Sequence, residues 1–290
     1  MSSAVTPSDQ GLLPRGPIAL EEFVKPFCDR FGLTKLPRHM HVILLSALFY
    51  QIINILSPVI SRHLSTHYAK LSKKTRLNWD AHVVSSVQSI VLICLGYTCL
   101  KEVNAFPDKL FGYSVVAGDI YALTAGYFVW DLYITVRYVH ITGIGFVIHA
   151  IAALFVITFS YRPYLMYYGP TYLSWELSTP FLNIHYFLDK TNRTGSKFQM
   201  INGFILIVTF ICVRIAWGWF SAYSTAIEIL NHINVAPWAL SLFYLAANMS
   251  LNCLNLFWVS KMIDAIRRRA HGEKKSTPLQ VTSEYAKKNI

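Results

Sequence analysis

The stretch ITGIGFVIHAIAALFVITFS, residues 141–160, decides the fold. It holds no Asp, Glu, Lys or Arg, and His149 is its one ionisable side chain. A helix of about 20 apolar residues spans a hydrocarbon core, and this run has that length. Working outward, six more apolar runs lie at Met40–Ile60, Ala81–Leu100, Ile120–Tyr138, Tyr164–Leu188, Phe198–Phe220 and Pro237–Ile263. The fifth in chain order, Tyr164–Leu188, contains Gly169-Pro170 and Pro180 and reads as a broken or kinked helix, or a re-entrant piece followed by a helix. The expectation is an all-α protein: a polytopic transmembrane helical bundle of about seven spans with a polar interior.

Composition agrees. Hydrophobic residues make up 54% of the 290 and charged residues 14%, against about 25% charged in soluble domains. The net charge of +11 comes from basic residues flanking the runs, not lining one soluble face, so nucleic acid is excluded as a partner. Cys28, Cys94, Cys99, Cys212 and Cys253 show no metal-type spacing, and no metal site is expected. Residues 1–17 are polar and Pro/Gly-rich and read as disordered, without a signal-peptide pattern. Ile18–Phe31 mixes Leu20, Phe23, Val24 and Phe27 with Glu21, Glu22 and Lys25, suiting a short amphipathic helix at the interface.

Lys and Arg in the connections set the orientation. The first connection holds Arg62, Lys70, Lys73, Lys74 and Arg76, the third Arg137, and the fifth Lys190, Arg193 and Lys197; the tail opens with Arg267 to Arg269. The even connections hold only Lys101, Lys109 and Arg162. Odd connections and the tail are therefore expected in the cytoplasm and the N-terminus in the lumen. That divides the chain into a lumenal segment 1–39, the first span with its basic connection 40–69, a multi-span domain 70–270 and a disordered cytoplasmic tail 271–290. Asn192-Arg193-Thr194 spells a glycosylation acceptor but is expected to stay unmodified on the cytoplasmic side. Lys287 and Lys288, fourth and third from the end, resemble a dilysine retrieval signal that engages retrieval machinery.

Ionisable groups at membrane depth cost roughly 2.5–3.5 kcal/mol and need a partner or a task. Asp131, His149, Glu176 and Arg214 lie within the apolar runs. His82, Ser85, Ser86 and Ser89 share one helical face. So do Glu176, Thr179 and Asn183, and again Asn248, Asn252 and Asn255. The serines and asparagines suit interhelical hydrogen bonding. The four ionisable residues point instead to a working interior, with Arg214 neutralising one acid and His149 hydrogen-bonding the other; the sequence leaves open which acid takes which partner.

Trp79-Asp80-Ala81-His82-Val83-Val84-Ser85-Ser86, Gly126-Tyr127-Phe128-Val129-Trp130-Asp131-Leu132 and Trp175-Glu176-Leu177-Ser178-Thr179-Pro180-Phe181-Leu182-Asn183 resemble signatures of TLC-domain (TRAM/LAG1/CLN8) membrane proteins, most closely the TLCD4 branch. The resemblance covers about residues 70–270. It implies a multi-span helical protein of the endoplasmic reticulum membrane acting in lipid synthesis, sensing or composition. Its ceramide synthase branch, which makes sphingolipid precursors, carries adjacent histidines and paired aspartates. Here the corresponding places read Ile148-His149-Ala150 and Trp175-Glu176-Leu177-Ser178, with one imidazole and one carboxylate.

Two functions follow as expectations. The first is a lipid-handling protein that binds a lipid or acyl chain in the bundle and influences membrane lipid composition; Tyr164, Tyr167, Tyr168, Tyr172 and Trp175 shape the slot, and His82, Ser85, Ser86, Asn183, Arg214, Asn248 and Asn252 line the polar interior. The second is an acyl-CoA-dependent N-acyltransferase with His149 as general base, oriented by Asp131 or Glu176. It needs no resident cofactor, acyl-CoA being a co-substrate. Membrane lipids are the expected partners, with homo-oligomerisation possible in either case. No internal repeat marks a transporter.

Overall fold

The computed structural model describes residues 11–102 and 106–270, with side chains through Arg268. Most of the disordered stretch expected at the N-terminus, and the tail with Lys287 and Lys288, lie outside the described residues. Among the described residues every regular element is helical.

Helix α1 (Ile18–Arg30) precedes α2 (Leu36–Leu64) and α3 (Lys73–Glu102). Then follow α4 (Val115–Arg137), a single turn α5 (Val139–Thr142) and α6 (Ile144–Phe159). The fifth apolar run is broken, as its prolines require: a 3-10 turn at Met166–Tyr168, α7 (Gly169–Leu173), a second 3-10 stretch at Ser174–Ser178, then α8 (Thr179–Lys190). Next come α9 (Lys197–Phe210), a π segment (Ile211–Ala216) and α10 (Trp217–Asn231), which together form one long helix, and finally α11 (Trp238–Ala270). Four helices are long and apolar enough to cross a membrane: α2, α3, the α9–α10 helix and α11; α6 is apolar but shorter. Helix α4 carries Asp119 and Asp131. The helices outrun the apolar stretches because hydrogen-bonded turns continue past the hydrocarbon: α2 begins at Leu36 rather than Met40.

α1 turns Phe23 and Phe27 outward, 83% and 67% exposed, while Cys28 is buried. That is the face an interfacial helix gives to lipid. α2 is organised inside out. Leu44, Leu45, Leu48, Phe49, Ile52 and Ile55 face outward, while His39, Ser46, Tyr50, Ser57 and Ser61 are buried. In lipid an apolar surface gains nothing by leaving the acyl chains, so helices associate through small and hydrogen-bonding residues. Ser46 Oγ donates to the Leu123 carbonyl at 2.7 Å. At that crossing a Cβ on Gly126 would stand 2.6 Å from the Ile43 carbonyl oxygen, so only glycine lets α4 lie this close to α2.

α2 packs on α3 and α4; α4 also packs on α6, and α6 on α11. α3 leans on α8 and α8 on α9, while the 3-10 stretch Ser174–Ser178 touches α3, α7, α8, α9 and the π segment. The broken fifth element thus lies inside the ring formed by the others. Cys94, Cys212 and Cys253 face outward, whereas Cys99 is buried.

Candidate functional site: an apolar cavity closed by Arg214, Glu176 and His149

The broken element exists because its sequence cannot continue one helix. Pro170 and Pro180 fall in the first turns of α7 and α8, where a missing N–H costs nothing, and the residues between adopt tighter 3-10 turns. The carbonyls and hydroxyls this exposes are answered by one side chain. Arg214 Nε donates to the Trp175 carbonyl at 3.1 Å and to Ser178 Oγ at 3.0 Å, and Nη2 donates to Thr179 Oγ1 at 3.2 Å. The same Nη2 stands 3.9 Å from Glu176 Oε1. The guanidinium also lies over the Phe210 ring at 5.3 Å.

Arg214 reaches inward because of the π segment. Asn202, Leu206, Phe210, Arg214 and Gly218 are all buried at intervals of four. On a regular helix each such step precesses by about 40°, and the wider turn at Ile211–Ala216 slows that drift. π-bulges recur at functional positions.

A cavity opens beside this group. Its walls come from α4 (Tyr121, Thr124, Phe128), α6 (His149, Ala153, Val156), the broken element (Tyr168, Tyr172, Trp175) and α10–α11 (Thr225, Tyr244, Leu251). Glu176, Arg214, His149 and Asn248 supply the convergent polar groups. Asn248 Nδ2 is hydrogen-bonded to the Tyr172 hydroxyl, and that hydroxyl lies 3.2 Å from Thr225 Oγ1. Asn252 Nδ2 donates to Asn248 Oδ1 at 3.0 Å, within its own helix.

The geometry answers the pairing question left open above. Arg214 takes Glu176. His149 takes neither acid: its ring sits 5.8 Å from Phe128 and 5.4 Å from Trp258, and Nδ1 makes no hydrogen bond. Asp131 is close enough to Glu176 to interact with it electrostatically but does not line the cavity. The remaining expected polar residues form a separate junction between α3 and α8. His82 Nδ1 is 2.7 Å from Asn183 Oδ1, Asn183 Nδ2 donates to Ser85 Oγ at 3.2 Å, and the His82 ring stacks on Tyr186 at 3.8 Å. Ser86 Oγ donates to the His82 carbonyl at 2.7 Å. Among the described residues no group of three His, Cys, Asp or Glu side chains is placed to hold a metal.

Two further clusters were not anticipated. His39 is fully buried, with Nδ1 2.8 Å from Asp119 Oδ1 and Nε2 2.6 Å from the Tyr113 hydroxyl. Asp119 Oδ2 accepts the Leu13 N–H at 2.9 Å. Burial, with help from Asp119 and Glu21, pushes the Tyr113 hydroxyl above its usual range despite Arg38. The hydroxyl and Nε2 share one hydrogen bond whose direction follows the imidazole tautomer, and Nδ1 faces the Asp119 carboxylate. At the opposite end Asp80 accepts from Ser57 Oγ at 2.7 Å and from the Tyr68 hydroxyl at 3.0 Å. Burial and that bond push the Tyr68 hydroxyl up to about 12.

A helical membrane bundle whose broken fifth element is pinned by a buried arginine can now be set beside known sequences. A sequence model of the TLC domain matches residues 78–264, and the chain belongs to that family. Among its relatives are Saccharomyces cerevisiae topoisomerase I damage affected protein 4, 29% identical over 246 residues (80% of this chain, 86% of the relative), and human TLC domain-containing protein 4, 30% identical over 213 residues (70% and 79%). TLC domain-containing protein 4-B of Xenopus laevis is 28% identical over 228 residues (74% and 84%). These similarities put the chain in the branch of TLC domain-containing protein 4. Helices α1 and α2 precede the matched segment, yet α2 forms the wall on which α4 rests.

Proposed function

We propose that this protein is a multi-pass endoplasmic reticulum membrane protein, of seven spans, that holds a lipid or acyl chain within its bundle and so influences membrane lipid composition. One observation carries the reading: an aromatic and aliphatic cavity inside the bundle has a small polar cluster in its wall, the make-up that suits an amphiphile. Ligand sites are typically concave, apolar and equipped with a few placed polar groups.

Filling the cavity tests this. Ala153 lines it, so Ala153→Phe is expected to lower the lipid that copurifies with the protein in nonionic detergent by roughly tenfold, equivalent to about 1.4 kcal/mol. The variant's thermal melt confirms that it is folded. Full retention of lipid by a folded Ala153→Phe protein refutes the reading.

An acyl-CoA-dependent N-acyltransferase with His149 as general base requires a carboxylate that orients the ring. His149 sits between aromatic rings with Nδ1 unbonded, and this favours holding a lipid over acylating one.

The topology belongs to the same proposal: N-terminus in the lumen, tail in the cytoplasm with Lys287 and Lys288 available to retrieval machinery, and homo-oligomers compatible with either function. In microsomes the Asn192-Arg193-Thr194 acceptor is expected to stay bare. An acceptor engineered into the connection between α3 and α4 is expected to gain an endoglycosidase H-sensitive glycan. A glycan on Asn192 would invert the orientation.

A further inference from the structure

We propose that the cavity selects a single-chain lipid with an uncharged head that both donates and accepts hydrogen bonds, a long-chain alcohol or primary amide, over a fatty acid or a long-chain amine. The inference rests on the lipid-holding reading and adds the class of ligand.

The charges at the polar end are already matched. Arg214 spends its Nε and Nη2 hydrogens on the Trp175 carbonyl, Ser178 and Thr179, and faces Glu176 at 3.9 Å. An anionic head would meet the Glu176 carboxylate, which stands 3.9 Å from the same guanidinium. A cationic head would meet the guanidinium. Either brings an uncompensated charge out of water, which costs far more than burying a neutral polar group. Asp131 does not line the cavity.

The groups left over are neutral and of both kinds. Trp175 Nε1, a donor only, is buried without a partner, and so is Asn252 Oδ1, an acceptor only. They lie together around Gly218: a Cβ there would be 3.3 Å from Trp175 Nε1 and 3.2 Å from Asn252 Oδ1. His149 Nδ1, likewise unpartnered, can act in either sense according to its tautomer. Trp175 and His149 line the cavity itself. A hydroxyl or primary amide donates and accepts at one atom or one group and satisfies such a set. A carboxylate only accepts and an ammonium only donates, so each leaves a buried group unmet. A site built on buried polar groups discriminates strongly against heads that leave them unpaired.

Three probes with one tail separate the possibilities: oleyl alcohol, oleic acid and oleylamine, each competing at mildly alkaline pH with tritiated oleyl alcohol for the full-length protein in nonionic detergent. Oleyl alcohol is expected to displace at concentrations roughly tenfold lower than either charged analogue. Trp175→Phe, which keeps an aromatic ring and removes the donor, is expected to narrow that advantage severalfold. If the acid or the amine displaces as well as the alcohol or better, the proposed head class is overturned while lipid holding stands. If none of the three binds saturably, both fail.

Discussion

Arg214→Ala is expected to cost the folded bundle about 3–5 kcal/mol, the usual penalty for stripping one partner from a buried charged contact. The arginine is 8% exposed and serves three acceptors on the broken element at once, besides its approach to Glu176. Without it the Trp175 carbonyl and the Ser178 and Thr179 hydroxyls lose their donor in a place with little water, and Glu176 loses its cation. Arg214→Lys keeps the charge but reaches fewer acceptors, because an ammonium lacks the planar fork, and is expected to fall between the two. Denaturant titration of the purified variants in mixed micelles measures this. Equal stability of wild type and Arg214→Ala would mean that the broken element is held by packing alone.

Asp119→Ala is expected to cost about 3 kcal/mol, by leaving the imidazole and a backbone N–H buried without an acceptor. Asp119 accepts the Leu13 N–H and stands 2.8 Å from His39 Nδ1, and His39 is fully enclosed. Tyr113→Phe removes only the hydroxyl bonded to Nε2 and is expected to cost about 1 kcal/mol. The ordering of the two variants is the diagnostic outcome. In the same titration, a Tyr113→Phe protein less stable than Asp119→Ala would show that the acid is not the centre of the cluster.

How much of this was legible in the sequence depended on depth. The apolar runs placed the helices, and Pro170 and Pro180 located the break in the fifth element, because proline acts on its own backbone. Glu176, Arg214 and His149 were recognisable as interior groups since each interrupts an apolar run. Their pairing was not, because it depends on which way the π segment turns Arg214, and regular periodicity gives no hint of a wide turn. His39 and Asp119 were missed for a simpler reason. Each falls one residue before an expected span, at Met40 and Ile120, where ionisable residues ordinarily meet water. Asp80, one residue before Ala81, was noticed but not read as buried. What encloses them is supplied from far away in the chain: Leu13 and Tyr113 for the first cluster, Ser57 and Tyr68 for the second.

The wide turn at Ile211–Ala216 also decides where that helix tolerates a change of length. A turn closed i to i+5 holds one residue more than the α-helix around it, so one residue lost there is absorbed as an ordinary turn, whereas the same loss just after it rotates everything downstream by about 100°. Thr225 and Ile229 would then leave the buried places they now hold. Drift in sequence is tolerable at many positions of such a helix, but a change of register is not.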